Sequence, residues 1–384
     1  LIKYLVFKIM TIVYIINQLR KSGPVEVLYN LVKNLHRFSV TPVIIRMMED
    51  DTDRSITPAF KELGIEVLEF SYSFIDLELR TRWVAQSLEQ LFVGRKVDLI
   101  HTHGYHPVLV ASYMHLDCPK IETMHCICQE DFVSSKGKIL GTYMNWRYLR
   151  HLKRLDAGVA ISETGKMFYE KKLGGFSVLR IYNGVDVSKF NIREGVPQRE
   201  WREKLDLPKD YIIFVVVGTV RKIKDPRTVI KAFLGLPDNI RESSLLLFLG
   251  KGNLLEECKQ LAKGCPSIVF KGYTFNVDEY LKAADYAICA SRSEGFGLSC
   301  VEALMTGVPV IASDIGPFRE FTAGYPELQN LHFPVGRVDL LRDKMKYAFG
   351  HPIEIIAVAN EIRDRFSTDR MVGNYVKLYQ SLKK

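Results

Sequence analysis

Two kinds of pattern alternate along the chain. Short runs rich in β-branched and aromatic residues, such as YIIFVVV at 211–217 and LLLFL at 245–249, are separated by longer stretches with apolar residues at helical spacing, such as VEVLYNLVKNLHR at 25–37. This alternation is the mark of βαβ units. It predicts strands over 10–16, 42–47, 65–70, 97–101, 120–124, 157–161 and 177–182, and again over 211–217, 245–249, 267–271, 286–290 and 308–312. Helices are predicted over 25–37 and 79–93, then 226–235, 253–263, 277–284, 299–306, 338–349, 352–365 and 368–383. Runs without alternation, such as IIFVVV, suit parallel strands covered on both faces.

Between the two halves, 183–200 is polar and carries Gly and Pro, which marks a hinge. The expected fold class is therefore α/β: two doubly wound, Rossmann-like domains with ligand sites at the carboxyl ends of their strands. The expected domains are 1–190 and 191–366, with the last helix, 367–384, joining the first domain.

Composition narrows the picture only a little. The 384 residues are 47% hydrophobic and 25% charged, which excludes disordered and collagen-like classes. The net charge of +9 is spread over both halves, with 25 basic and 20 acidic residues in 1–190 against 28 and 24 in the remainder. It suits anionic partners in general and singles out no nucleic-acid-binding arm. The seven cysteines form no C-x-x-C pair and several lie in apolar runs, so a reduced, cytoplasmic protein is expected. Lys3 and Lys8 interrupt the apolar N-terminus, and the continuous run that remains, Ile9 to Ile16, is short of the roughly 20 residues that a spanning helix needs. Met10 stands at the first predicted strand, so residues 1–9 are expected to be a leader or an over-extended start.

The densest candidate chemistry lies in SRSEGFGLSCVEALMTGVPVIAS, 291–313. Strand 286–290 runs into a turn where Gly295 and Gly297 allow close backbone approach to a ligand. A helix over 299–306 follows, with Gly307 placed to end it. Free amides at the turn and helix start make an anion site. Glu294 and Glu302 flank the turn eight positions apart; eight helical steps would span roughly 12 Å, beyond the roughly 5–9.5 Å of a hydrolase acid pair. They read as separate contacts on one long ligand, such as a nucleotide sugar.

EGFGLSCVE together with EALMTGVPVIASDIGPFREF resembles the E-x7-E region of the retaining glycosyltransferases of family 4, which have the GT-B fold. INQLRKSGPVEVLYNLVKNL, DLIHTHG, IETMHC, ISET, YNGVD, VVVGTVRKIKDPRTVIKAF and LFLGKGN follow the family's order across nearly the whole chain. The resemblance implies two domains facing a central cleft and a nucleotide-diphosphate sugar as donor, UDP-sugar ahead of GDP-sugar. It implies that Lys224 holds the phosphates, Glu294 orients the sugar, Glu302 meets the ribose, and His125 contacts the transferred sugar, with His103 nearby. Gly295, Phe296, Gly297, Leu298 and Glu320 would line the donor site.

Two positions depart from the family pattern. Thr219 follows Gly218 where Arg is common, and Arg221 or Lys222 is expected to supply that charge. Ser22 replaces one of two glycines, so close approach rests on Gly23. Asp225 and Pro226 read as N-cap and first residue of the next helix. His101 reads as a packed core histidine. His103, His106, His125, Cys126 and Cys128 match no standard zinc spacing, and the two loops need not converge, so no metal or other cofactor is expected.

Residues 132–155 hold six basic residues and no acid, with Tyr143, Trp146 and Tyr148 interleaved. The stretch 136–154 suits an anionic membrane surface, so a peripheral site on the inner face of the plasma membrane is expected. Reversal of Arg147, Arg150 and Arg154 should then weaken binding to anionic vesicles. Packing of the same helix on the core is the competing reading. No nucleic-acid motif accompanies it.

These features together point to a retaining, metal-independent hexosyltransferase. It would act on a saccharide or lipid-linked acceptor in surface polysaccharide or glycolipid synthesis. A sugar-nucleotide epimerase or glycogen-type phosphorylase of the same fold, and a non-catalytic nucleotide-sugar-binding subunit, remain as alternatives.

Overall fold

The computed structural model describes residues 9–50, 54–192 and 195–383. The leader expected over 1–9 falls almost wholly outside them. The chain divides into two compact units, Leu1–Gly184 with Thr368–Lys384, and Val185–Ser367.

The first unit holds a seven-stranded sheet: β1 (Met10–Ile16), β2 (Val40–Arg46), β3 (Glu66–Glu69), β4 (Leu99–His103), β5 (Lys120–Met124), β6 (Ala157–Ala160) and β7 (Val178–Arg180). All neighbours are parallel, in the order β3-β2-β1-β4-β5-β6-β7. The second unit holds five parallel strands, β8 (Ile212–Val217), β9 (Ser244–Leu249), β10 (Ile268–Gly272), β11 (Tyr286–Cys289) and β12 (Val310–Ala312), in the order β10-β9-β8-β11-β12. The strand order reverses between β1 and β4 in one sheet and between β8 and β11 in the other. Ligands of doubly wound sheets bind outside the carboxyl ends at such switch points.

Parallel strands covered on both faces must be apolar throughout. Accordingly Ile213, Phe214 and Val215 of β8 and all of β9 are buried. Tyr14 of β1 is also fully buried, and burial holds its phenol firmly protonated. Such a hydroxyl needs a partner. The helix Thr368–Leu382 supplies one, because Tyr379 Oη lies 3.0 Å from Tyr14 Oη. A polar contact between residues 365 positions apart thus helps hold the chain's last helix on the first unit.

Helical spacing gave no signal for several helices. Tyr105–Ala111 is buried on every side, so it carries no amphipathic stripe. Glu163–Leu173 starts from a side-chain cap, with Ser162 Oγ accepting from the Gly165 amide at 3.0 Å. The predicted helix 25–37 ends at Lys33 and continues as a 3₁₀ turn, Leu35–Phe38.

Candidate functional site

The second unit builds its switch point from two loops. β8 ends at Val217, and Gly218–Asp225 leads into the helix Pro226–Leu234. β11 ends at Cys289, and the turn 290–297 leads into the helix Leu298–Met305. The loops are clamped by two ion pairs of opposite sense. Lys224 Nζ meets Glu294 Oε1, and Arg292 Nη2 lies 2.7 Å from Asp225 Oδ2. The Arg292 amide also donates to Ile223 O at 2.8 Å, and Ser291 Oγ donates to Glu294 Oε1 at 2.6 Å. Burial works against the charge on Lys224, but the adjacent Glu294 carboxylate outweighs it and holds the ammonium charged. A concave surface here is lined by Gly218, Thr219, Lys224, Cys289, Ser291 and Ser299.

Asp225 occupies the N-cap position with Pro226 as first helical residue, yet its side chain makes no capping bond. Its left-handed backbone (φ 47°) turns the residue away, and the carboxylate serves Arg292 instead. Arg221 Nε donates to Thr219 Oγ1 at 3.2 Å. A guanidinium therefore stands beside Thr219, where the sequence lacks the family's arginine.

Two glycines have local causes. A Cβ at Gly250 would sit 1.9 Å from Gly218 O, so the loops leaving β8 and β9 can touch only with glycine there. Gly297 has φ +99°, and a Cβ would meet the Phe318 ring at 2.5 Å. The space beside Gly297 is thus filled by the Phe318 ring. Gly307 ends the helix with φ +80°, its amide donating to Leu304 O at 3.0 Å.

Phe296 is packed in the same way. Its side chain is buried, with ring centroids 4.9 Å from Phe321 and 5.7 Å from Phe366, so only its backbone can face a ligand. Gly295 and Leu298 are half-buried at the turn. Glu302 is half-buried in the second turn of its helix, and Glu320 half-buried in the helix Gly316–Thr322. This geometry gives Glu294 and Glu302 separate settings, one in a charged clamp and one on a helix.

At the first unit's switch point two imidazoles meet, beside a β1 loop that carries the exposed Arg20 and Lys21. β4 ends in His103, and His125 directly follows β5. The two loops do converge, contrary to the reading that they need not: His103 Nδ1 lies 2.8 Å from His125 Nε2. Burial depresses the basicity of both rings, that of His125 to about 4. Among the described residues no three metal-ligating side chains gather. His101 is fully buried, with Nδ1 2.9 Å from Tyr379 Oη and Nε2 2.7 Å from Thr123 Oγ1. Ser22 caps the helix Gly23–Lys33 in extended conformation without a side-chain bond, and Gly23 is its first residue.

Sequence reasoning missed four groups. Asn17 reaches across the switch point, Nδ2 3.2 Å from His106 Nδ1, and His106 Nε2 is 3.1 Å from Glu78 Oε1. Glu122 is fully buried; Gly104 N donates to its Oε1 at 2.9 Å, and Tyr148 Oη at 3.0 Å. Burial raises its pKa well above the usual carboxyl range. Arg292 completes the list. A polar residue just after a strand, as at Asn17, was the only available signal.

A cationic loop clamped by ion pairs to a second loop at the switch point of a doubly wound sheet is a setting suited to an anionic ligand. The comparisons narrow that class. Residues 197–357 match the model of the glycosyl transferases group 1, and 21–189 that of Glycosyltransferase Family 4. The chain belongs to glycosyltransferase family 4, and it is a glycosyltransferase.

It is 23% identical over 386 residues to the O-antigen biosynthesis glycosyltransferase WclY of Escherichia coli, covering 97% of this chain and 99% of that one. It is 26% identical over 244 residues to the UDP-Gal:alpha-D-GlcNAc-diphosphoundecaprenol alpha-1,3-galactosyltransferase of the same species, covering 60% and 61%. Anabaena Alr3699/HepE, solved in complex with UDP and glucose, shares the fold with a TM-score of 0.79 at 16% identity, over 97% of this chain and all of that one. The fold is GT-B.

Proposed function

We propose that the protein transfers a hexose from a UDP-sugar, with retention of configuration and without a metal, to a lipid-linked saccharide acceptor in surface polysaccharide assembly. The observation that carries the reading is the clamp at the β8–β11 switch point. It holds a charged lysine at the start of an uncapped helix, where a diphosphate gains both the cation and free amides. Lys224, Arg221 and the turn amides would stabilise charge on the departing diphosphate. Glu294 would orient the sugar, Glu302 the ribose, and His125 would contact the transferred sugar. Glu294 already neutralises Lys224, so Arg221 and Lys222 become the uncommitted cations that a diphosphate needs. The relatives support the chemistry: one is named for UDP-Gal and a diphosphoundecaprenol acceptor, another for O-antigen synthesis.

A peripheral site on an anionic membrane suits such an acceptor. Among the described residues no helix is long and apolar enough to cross a membrane. On the helix Lys138–Leu152, however, Ile139, Leu140, Tyr143 and Trp146 are exposed at i, i+1, i+4 and i+7. On the neighbouring segment 74–89, Ile75, Leu79 and Trp83 are exposed at i, i+4 and i+8. Arg147 joins the two, bonding Glu78 O at 2.8 Å and Thr81 Oγ1 at 3.2 Å.

Thermal shift with UDP-, GDP- and ADP-sugars tests the donor. A UDP-sugar at about a hundred times its Kd should add about 2.7 kcal/mol, a shift of several degrees. A response to GDP-sugars alone would overturn the UDP assignment, and binding without transfer to any lipid-linked acceptor would favour a non-catalytic subunit.

A further inference from the structure

Side chains two apart on a strand share a face, and His101 and His103 accordingly lie side by side with tilted rings, their centroids 4.4 Å apart. Their surroundings differ. Both nitrogens of His101 have partners within the unit, through Tyr379 and Thr123. His103 has one partner, His125, and its Nε2 is buried with none, in a side chain only 4% exposed. A buried polar atom left open inside a satisfied network calls for an explanation.

The two rings share one hydrogen bond, and as neutral imidazoles each carries one proton. Only two arrangements exist. If His125 Nε2–H donates to His103 Nδ1, the proton of His103 sits on Nε2 as a stranded buried N–H. If His103 Nδ1–H donates to His125 Nε2, the open His103 Nε2 is a bare acceptor and the proton of His125 sits on Nδ1. Among backbone groups an orphaned buried N–H is rarer than an under-satisfied acceptor, and the same desolvation argument carried over to the imidazoles favours the second arrangement. It leaves His125 with a donor on Nδ1.

We propose that His103 is a positioning residue: through its bond to Nε2 it holds His125 as the Nδ1–H tautomer, so that His125 donates a hydrogen bond to a hydroxyl of its ligand. The catalytic consequence rests on the reading that His125 contacts the transferred sugar; the tautomer itself does not. On the other face of the sheet, the Glu122 carboxyl receives the Gly104 amide directly after His103 and so fixes the backbone at the end of β4. A histidine whose other nitrogen is fixed by a neighbour is the usual way in which proteins choose a tautomer.

The test is nitrogen NMR on the full chain labelled with ¹⁵N-histidine, without ligand, for wild type, His103→Ala and His103→Asn. The wild type should show His125 protonated on Nδ1. His103→Ala should move that proton to Nε2, and His103→Asn, whose amide can donate from the place of Nδ1, should return it. UDP release from UDP-glucose and from UDP-galactose, assayed in parallel, should fall about ten- to a hundredfold in kcat in the alanine variant, with KM nearly unchanged. The asparagine variant should recover most of it.

A wild-type proton on Nε2, or a tautomer indifferent to residue 103, would overturn the proposal. So would full turnover by His103→Ala alongside a dead His125→Ala. Full turnover by His125→Ala would instead overturn the sugar-contact reading, while the tautomer result stands on its own.

Discussion

The two switch points do their work with opposite electrostatics. At the β8–β11 edge, two ion pairs join the loops, and every long side chain in the clamp is charged. At the β1–β4–β5 edge the equivalent positions hold Asn17, His103 and His125, imidazoles that burial keeps neutral. The same topology thus offers one edge suited to an anion and one suited to hydroxyls.

The sharpest way to break this comparison is to remove charge from the charged edge. Lys224→Ala should lower turnover on the order of 10²–10³-fold, the range for loss of one preorganised group that stabilises developing charge. Glu294→Gln should lower it less if its role is orientation. The double variant Arg221→Ala with Lys222→Ala should lower kcat and raise the donor KM, each by less than Lys224→Ala, since these cations are exposed. Steady-state kinetics with UDP-sugar decide the matter. Equal activity in Lys224→Ala and wild type would remove the charged edge from the mechanism.

Acid probes the neutral edge. Burial depresses the pKa of His101, His103, His125 and His151 in the first unit, His125 and His151 to about 4. A histidine with folded pKa below its unfolded value of about 6.5 binds protons preferentially when unfolded. Its contribution is therefore complete above about pH 6.5 and is lost as pH falls toward about 4. The second unit has His332 alone shifted in that direction among the described residues. Urea denaturation at pH 7.5, 6 and 5 should show the first unit losing stability first, by about 2 kcal/mol at pH 5 for each imidazole that stays buried. Equal loss in both units would mean that the imidazoles are already solvated.

How much of this was legible in the sequence differs between the edges. Strand positions followed from uninterrupted apolar runs, and every predicted strand has its counterpart. The charged loop was visible because Arg221, Lys222, Lys224 and Arg227 crowd together in sequence. What was not visible was that Lys224 and Glu294, 70 positions apart, neutralise each other, or that Asp225 serves Arg292 rather than its own helix. The neutral edge was harder to read. Histidines 22 positions apart meet only because β4 and β5 are neighbours, and His101 is satisfied by a tyrosine 278 positions away. Local spacing carries no record of such contacts.

The smallest expected effect concerns the exposed helix Lys138–Leu152, and the structure changes how it should be tested. Reversal of Arg147, Arg150 and Arg154 would confuse two roles. Arg147 is only 13% exposed and paired with Glu78, so its reversal would disturb the packing of its helix. Arg154 lies over the Tyr113 ring at 5.2 Å. Lys136, Lys138 and Arg150 are the better targets, because Arg150 stacks over the exposed Trp146 at 5.5 Å and the lysines flank Ile139. Each charge near an anionic surface contributes about 1 kcal/mol. Lys136→Gln with Lys138→Gln should therefore weaken co-flotation with phosphatidylglycerol vesicles by one to two orders of magnitude, with activity on a soluble acceptor unchanged. Ile139→Asp should weaken flotation further, because the apolar stripe and the basic rim would act together. Unchanged flotation in both variants would leave the stripe without a membrane role.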